Sequence, residues 1–174
     1  MSWVRFVLLG GVLAGLTAGQ TLLPVGELLR YSLEETPEQL TRGMGRPVQT
    51  GEASPGYFTW YYKTDVLDQH DFSHLLVFRK SDGKLASVTR NFHTPVNVDA
   101  LFPAKNAKTH YWPSEKDPQW SVRVRLMGGD RLMMAMGVKK EGDTTTQVVV
   151  MRRSVLKYFF SWLDEQLREQ EEKR

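Results

Sequence analysis

The chain has 174 residues, 41% of them hydrophobic and 25% charged, a composition that supports one packed domain and argues against disorder. Its 23 lysines and arginines nearly balance 20 aspartates and glutamates, leaving a formal net charge of +3, which is not the footprint of a nucleic-acid binder. There is no cysteine, which excludes disulfides, thiol catalysis and thiolate-ligated metals.

Residues 1–5 carry one positive charge, and residues 6–16 (FVLLGGVLAGL) are an unbroken apolar run. Thr17, Ala18 and Gly19 then offer small side chains before Gln20. This is the pattern of a secretory signal over residues 1–19. The run stops short of the roughly 20 apolar residues of a spanning helix. Export to the periplasm or beyond the cell is therefore expected, without a lipid anchor, because no cysteine is present to be acylated.

Residues 20–174 read as one α+β domain. Leu22, Leu23, Leu28 and Leu29 suggest a short helix over residues 22–33. Thr36, Pro37 and Gln39 form the start signature of a second: a capping hydroxyl, a proline at the first helical position and a reciprocal amide. Gly43, Gly45 and Pro47 end it. Strands follow at residues 57–63 (YFTWYYK), 72–80 (FSHLLVFRK) and 85–92, the last two joined by a turn at Asp82-Gly83. Residues 93–119, with Pro95, Pro103, Pro113 and Pro118, read as a long connection. A second meander is expected at 120–127, 131–139 and 144–151. From Ser154 a single helix is expected, its apolar stripe formed by Val155, Leu156, Phe159, Phe160, Leu163 and Leu167. The predicted architecture is two short N-terminal helices packed on an antiparallel sheet of two meanders, closed by a C-terminal helix.

The order of Glu38 to Pro47 (EQLTRGMGRP), Trp60-Tyr61-Tyr62, the apolar Leu75 to Phe78 and Asp82-Gly83-Lys84-Leu85 resembles the SmpA/OmlA (BamE) family of small envelope-assembly proteins. The resemblance covers roughly residues 28–92. It implies the fold shared with β-lactamase inhibitor proteins, two helices on a three-stranded sheet. It transfers no site residue to this chain.

Candidate chemistry is sparse. Asp68, His70, Asp71, Ser73 and His74 are the densest polar group, but on a strand His70 and His74 would stand about 13 Å apart, too far to share one zinc. No Gly-x-Ser-x-Gly elbow occurs, and no trio such as Asp71, His74 and Ser87 is selected by its spacing. No catalytic, cofactor or metal residue is assigned. Arg123 and Arg125 alternate with apolar neighbours and, with Arg131, form the candidate interaction surface. Arg152 and Arg153 precede a helix, where positive charge opposes the macrodipole, so stability does not account for them. The expected function is an exported, non-enzymatic interaction or assembly module binding an envelope protein. The alternatives are a periplasmic small-ligand or lipid carrier with a pocket beside residues 93–119, and an envelope hydrolase. Peripheral membrane contact through the aromatic C-terminal helix is compatible with the first two.

Overall fold

The computed structural model describes residues 32–63, 72–98, 109–113, 117 and 119–173. The expected signal and most of the expected first helix lie outside them. Among the described residues one helix, α1 (Pro37–Met44), precedes the strands, with Pro37 at its start and the Thr36 N–H donating to Gln39 Oε1 at 2.8 Å. Gly45 ends it at φ +74°, its N–H bonded to the carbonyl of Thr41.

Eight strands follow: β1 (Gln49–Ser54), β2 (Tyr57–Lys63), β3 (Phe72–Arg79), β4 (Leu85–Asn97), β5 (Thr109–Pro113), β6 (Trp120–Gly128), β7 (Arg131–Lys139) and β8 (Thr144–Arg152). They form a single antiparallel sheet in the order β1-β2-β3-β4-β8-β7-β6-β5. A 3₁₀ turn (Arg153–Val155), α2 (Leu156–Phe159) and α3 (Ser161–Glu172) close the chain.

The predicted α+β layering is therefore corrected. Among the described residues one short helix precedes the sheet, not two packed on it, and the strands are one continuous sheet. The cause is the ladder between β4 and β8, running from Ser87↔Met151 to Asn91↔Gln147. Val148, Val149 and Val150 are all buried, so β8 has apolar cover on both faces and sits centrally between β4 and β7. The predicted 93–119 connection is also shorter than expected. Strand β4 continues to Asn97 after a register shift that accommodates Pro95, and β5 lies within the rest.

The two faces have separate cores. Face A carries Leu76, Phe78, Val88, Met133, Val148 and Val150 and packs against Leu33, Leu40 and Met44. On it Trp60 meets Phe78 edge-on at 5.1 Å, and Phe58 stacks on Phe78 at 4.9 Å. Face B carries Val77, Val124, Leu132, Met134, Val149 and Met151 beneath Val155, Leu156, Leu163 and Leu167. The single expected C-terminal helix is broken at Phe160, whose φ of −141° and ψ of 63° are not helical. Arg152 donates to the Leu33 carbonyl at 2.5 Å and pairs with Glu34. Arg153 pairs with the buried Asp164, which also holds Arg168 at 3.0 Å. Both arginines tie the chain's ends to the sheet, which corrects the expectation that stability does not account for them.

Candidate functional site

Strand β5 is the outer strand at one edge of the sheet, paired to β6 from Thr109↔Arg125 to Pro113↔Ser121. Side chains on a strand alternate between faces. Tyr111 therefore emerges on face A opposite Arg123, while His110 and Trp112 emerge on face B, where their rings stack at 5.6 Å. Tyr111 is 51% exposed and carries the Arg123 guanidinium 5.9 Å from its ring centroid. Trp120, at the start of β6, is 36% exposed, with the Lys139 ammonium 5.3 Å from its ring. Trp120 lies three residues before Arg123 on β6, so by the same alternation it emerges on face B, and the two pairs flank this edge from opposite faces.

Two local devices hold this edge. Arg123 pairs with Asp143 in the β7–β8 turn, which fixes the guanidinium over Tyr111. Trp120 lies on Gly137, where φ is +56° and an added Cβ would stand 3.4 Å from the indole ring. No other residue type is tolerated there without strain.

The candidate arginines are thus placed as follows. Arg123, Arg125 and Arg131 share face A, because Arg125 is opposite Met133 and Arg131 lies two residues before it. They are not a solvated stripe. All three are half-buried beside Met133, which is only 1% exposed. Arg123 belongs to the aromatic edge; Arg131 faces Arg152 across β7 and β8 at the other end of the strand.

Of the polar group around residue 70, Asp68, His70 and Asp71 lie outside the described residues. Ser73 accepts a hydrogen bond from Asn91 Nδ2 at 3.1 Å, and Gln147 Nε2 donates to Asn91 Oδ1 at 2.8 Å, a polar ladder across face B. His74 is on face A, fully buried and directly opposite the fully buried Arg90, whose guanidinium lies 5.5 Å from the Phe92 ring. Burial, and secondarily the Arg90 charge, push the His74 pKa down to about 3. Neither ring nitrogen has a hydrogen-bond partner among the described residues. The imidazole is neutral at physiological pH and is packed as part of the core. Among the described residues no group of three or more His, Asp or Glu is placed to hold a metal ion.

The exposed aromatics of β5 were hidden inside the proline-rich stretch. Their signal was the run His110-Tyr111-Trp112, three consecutive ring residues bounded by a proline.

No protein-family model matches the chain, and no curated protein matches it. Among solved structures it is similar to a cysteine-rich secretory protein from Staphylococcus aureus subsp. aureus Mu50, at 10% identity and a TM-score of 0.48, over 71% of this chain and 46% of that one. It is similar to an extracellular protein containing a SCP domain from Bacillus anthracis str. Ames, at 12% identity and 0.48, over 71% and 45%. The chain spans less than half the length of either protein. Likeness at this level assigns neither family nor activity to this chain, and it does not bear on the resemblance to the SmpA/OmlA family. No helix among the described residues is long and apolar enough to cross a membrane.

Proposed function

We propose that this chain is an exported, non-enzymatic envelope module that binds a partner protein through the β5–β6 edge of its sheet. The observation that carries this reading is the pair of exposed rings at one edge of the sheet, Tyr111 on face A and Trp120 on face B, each held beside a cation. Tyr, Trp and Arg are the residue types that most often supply binding energy at protein interfaces. Here their side chains are already fixed by Asp143 and Gly137, so little conformational entropy is lost on docking. Export is supported by the apolar run at residues 6–16 and the small residues before Gln20.

A photo-crosslinking amino acid placed at 111 and at 120 in the producing cell tests the reading. Both positions should trap the same protein, and position 48, exposed beside β1 at the opposite edge of the sheet, should not. Tyr111→Ala with Trp120→Ala should weaken recovery of that partner by about 100-fold, the loss of two interface anchors of roughly 1–2 kcal/mol each. Crosslinks at neither position would overturn the proposal. N-terminal sequencing of the recovered protein should start at or near Gln20; a start at Met1 would overturn its export.

A further inference from the structure

Among the described residues the sheet has two outer strands, and they are built differently. Strand β1 breaks its register between Glu52 and Ser54 and carries a charge, Glu52, that pairs with Lys80. A bulge and an edge charge are devices by which sheets block further pairing. Strand β5 has neither. Its register with β6 runs without a shift, and residues 109–113 (THYWP) contain no aspartate, glutamate, lysine or arginine.

The direction of its main chain follows from β6. Along a strand, successive residues turn their N–H and C=O alternately to one neighbour and to the other. The Gln119 carbonyl accepts from the Lys140 N–H, so residue 119 turns toward the β7 side. Ser121, Arg123 and Arg125 then do the same, while Val122 and Val124 turn toward β5 and meet Trp112 and His110. That leaves the main chain of Thr109, Tyr111 and Pro113 directed away from the sheet. The proline fits this, because its missing N–H falls on the outer side and removes no bond to β6.

This outer row is self-complementary. Turned antiparallel about Tyr111, two copies set the Tyr111 N–H against the partner's Tyr111 carbonyl and the Thr109 N–H against the partner's Pro113 carbonyl, each bond made twice. The same pairing sets His110 beside the partner's Trp112 on face B, in the closer, non-hydrogen-bonded positions where cross-strand rings pack. Only the Thr109 carbonyl goes without a donor, because proline has no N–H. Charge does not oppose the arrangement. Arg123 is paired with Asp143, and the β6 strands of the two copies would stand three strand intervals apart, about 14 Å, beyond the screening length of physiological salt. We infer that β5 pairs antiparallel with β5 of a second copy of this chain, joining two eight-stranded sheets edge to edge. The inference rests on the reading of the β5–β6 edge as the binding surface, and it names the partner.

Because the chain has no cysteine, the register can be measured directly. Under oxidation Tyr111→Cys should form an interchain disulfide, since residues facing each other across the twofold axis have Cα atoms about 5.5 Å apart. Thr109→Cys should not, since the two copies of that position would lie about 14 Å apart. The native exported protein should sediment as a dimer that dissociates on dilution, as a short interface does. Thr109→Pro removes an outward N–H and keeps all three rings. Symmetry makes that a loss of two bonds, so the dimer should weaken by about tenfold or more. A native protein that stays monomeric at millimolar concentration, a disulfide formed as readily by Thr109→Cys as by Tyr111→Cys, or a folded Thr109→Pro that dimerises like the parent would each overturn the inference. If Thr109→Pro fails to fold, the disulfide pattern decides it. Photo-crosslinks from positions 111 and 120 to a different protein, with no dimer, would overturn the second copy as partner and leave the binding surface standing; crosslinks at neither position would sink both.

Discussion

The two faces of the sheet are both buried, but they are built differently. Face B is closed by side chains from the end of the chain: Val155, Leu156, Leu163 and Leu167 over Val124, Leu132, Met134 and Met151. Face A places a histidine and an arginine at its centre, His74 against Arg90, among Leu76, Val88 and Val148. Burial of apolar surface is insensitive to pH, whereas a buried imidazole must stay neutral to stay buried. The comparison teaches that removing cover should break face B, while acid should break face A.

The largest effect is expected from deleting residues 154–174. The apolar side of β6, β7 and β8 would then meet water as a patch of a kind soluble monomers rarely tolerate. The truncated chain should aggregate or lose its cooperative melt. A soluble truncation melting like the parent would show that face B does not need its helices.

Single core deletions come next. Phe78→Ala on face A should cost about 3–5 kcal/mol, and Leu163→Ala on the closure of face B about 2–5 kcal/mol, by denaturant melts. Both residues are 0% exposed, so a loss below about 1 kcal/mol at either would disprove its packing.

The pH test separates the faces. His74 has a folded pKa near 3 against an ordinary value of 6.5. Above pH 6.5 the ring is neutral whether the chain is folded or not, and it contributes no pH dependence. Below 6.5 the unfolded chain takes up a proton that the folded chain refuses, so stability falls by up to about 1.4 kcal/mol per pH unit. The carboxylates held low by neighbouring cations respond later. Glu34, lowered to about 2 by Lys84 and Arg152, contributes stability that begins to fade only below its ordinary 4.5. The window from pH 6.5 to 4.5 therefore reads His74 apart from them. His74→Leu should flatten the stability curve in that window; an unchanged slope would sink the assignment.

A smaller effect should come from Gly137→Ala at the aromatic edge. An L side chain at φ +56° costs about 1–2 kcal/mol. Because its Cβ would press on the Trp120 ring, the indole fluorescence should change with it. A loss of stability with unchanged fluorescence would mean that Trp120 does not rest on Gly137.

The strands that were legible in the sequence are those whose side chains alternate between water and core or end in a defined turn. Arg123-Val124-Arg125-Leu126 showed β6, and Asp82-Gly83 showed the turn into β4. Strand β1 was not legible because Gln49 to Glu52 are all exposed polar or glycine residues at the outer edge, where no pattern is imposed. Strand β5 was obscured by surrounding prolines. The pairing of β4 with β8 joins residues far apart in the chain and leaves no local signal. The same holds for the site. The alternation of Arg123 and Arg125 puts them on one face, but that this face is half-buried depends on Met133, directly opposite Arg125 on the neighbouring strand. His74 and Arg90 shared parity with Leu76 and Val88, so the period of two pointed both inward; their polar character argued the other way, and tertiary packing won.

The seam between β4 and β8 also governs how the chain assembles. Strands β1 to β4 pair in order with their neighbours, as do β5 to β8, but Ser87↔Met151 can form only after nearly the whole chain is present. Non-local pairings of this kind slow folding, because the loop must be closed before its contacts stabilise anything. Until then β4 and β8 each wait with an open edge lined by valines, the state in which strands pair with the wrong chain. A nascent molecule is thus most vulnerable in the interval before β8 is made, and that interval ends as β8, the edge of the second half-sheet, docks on β4.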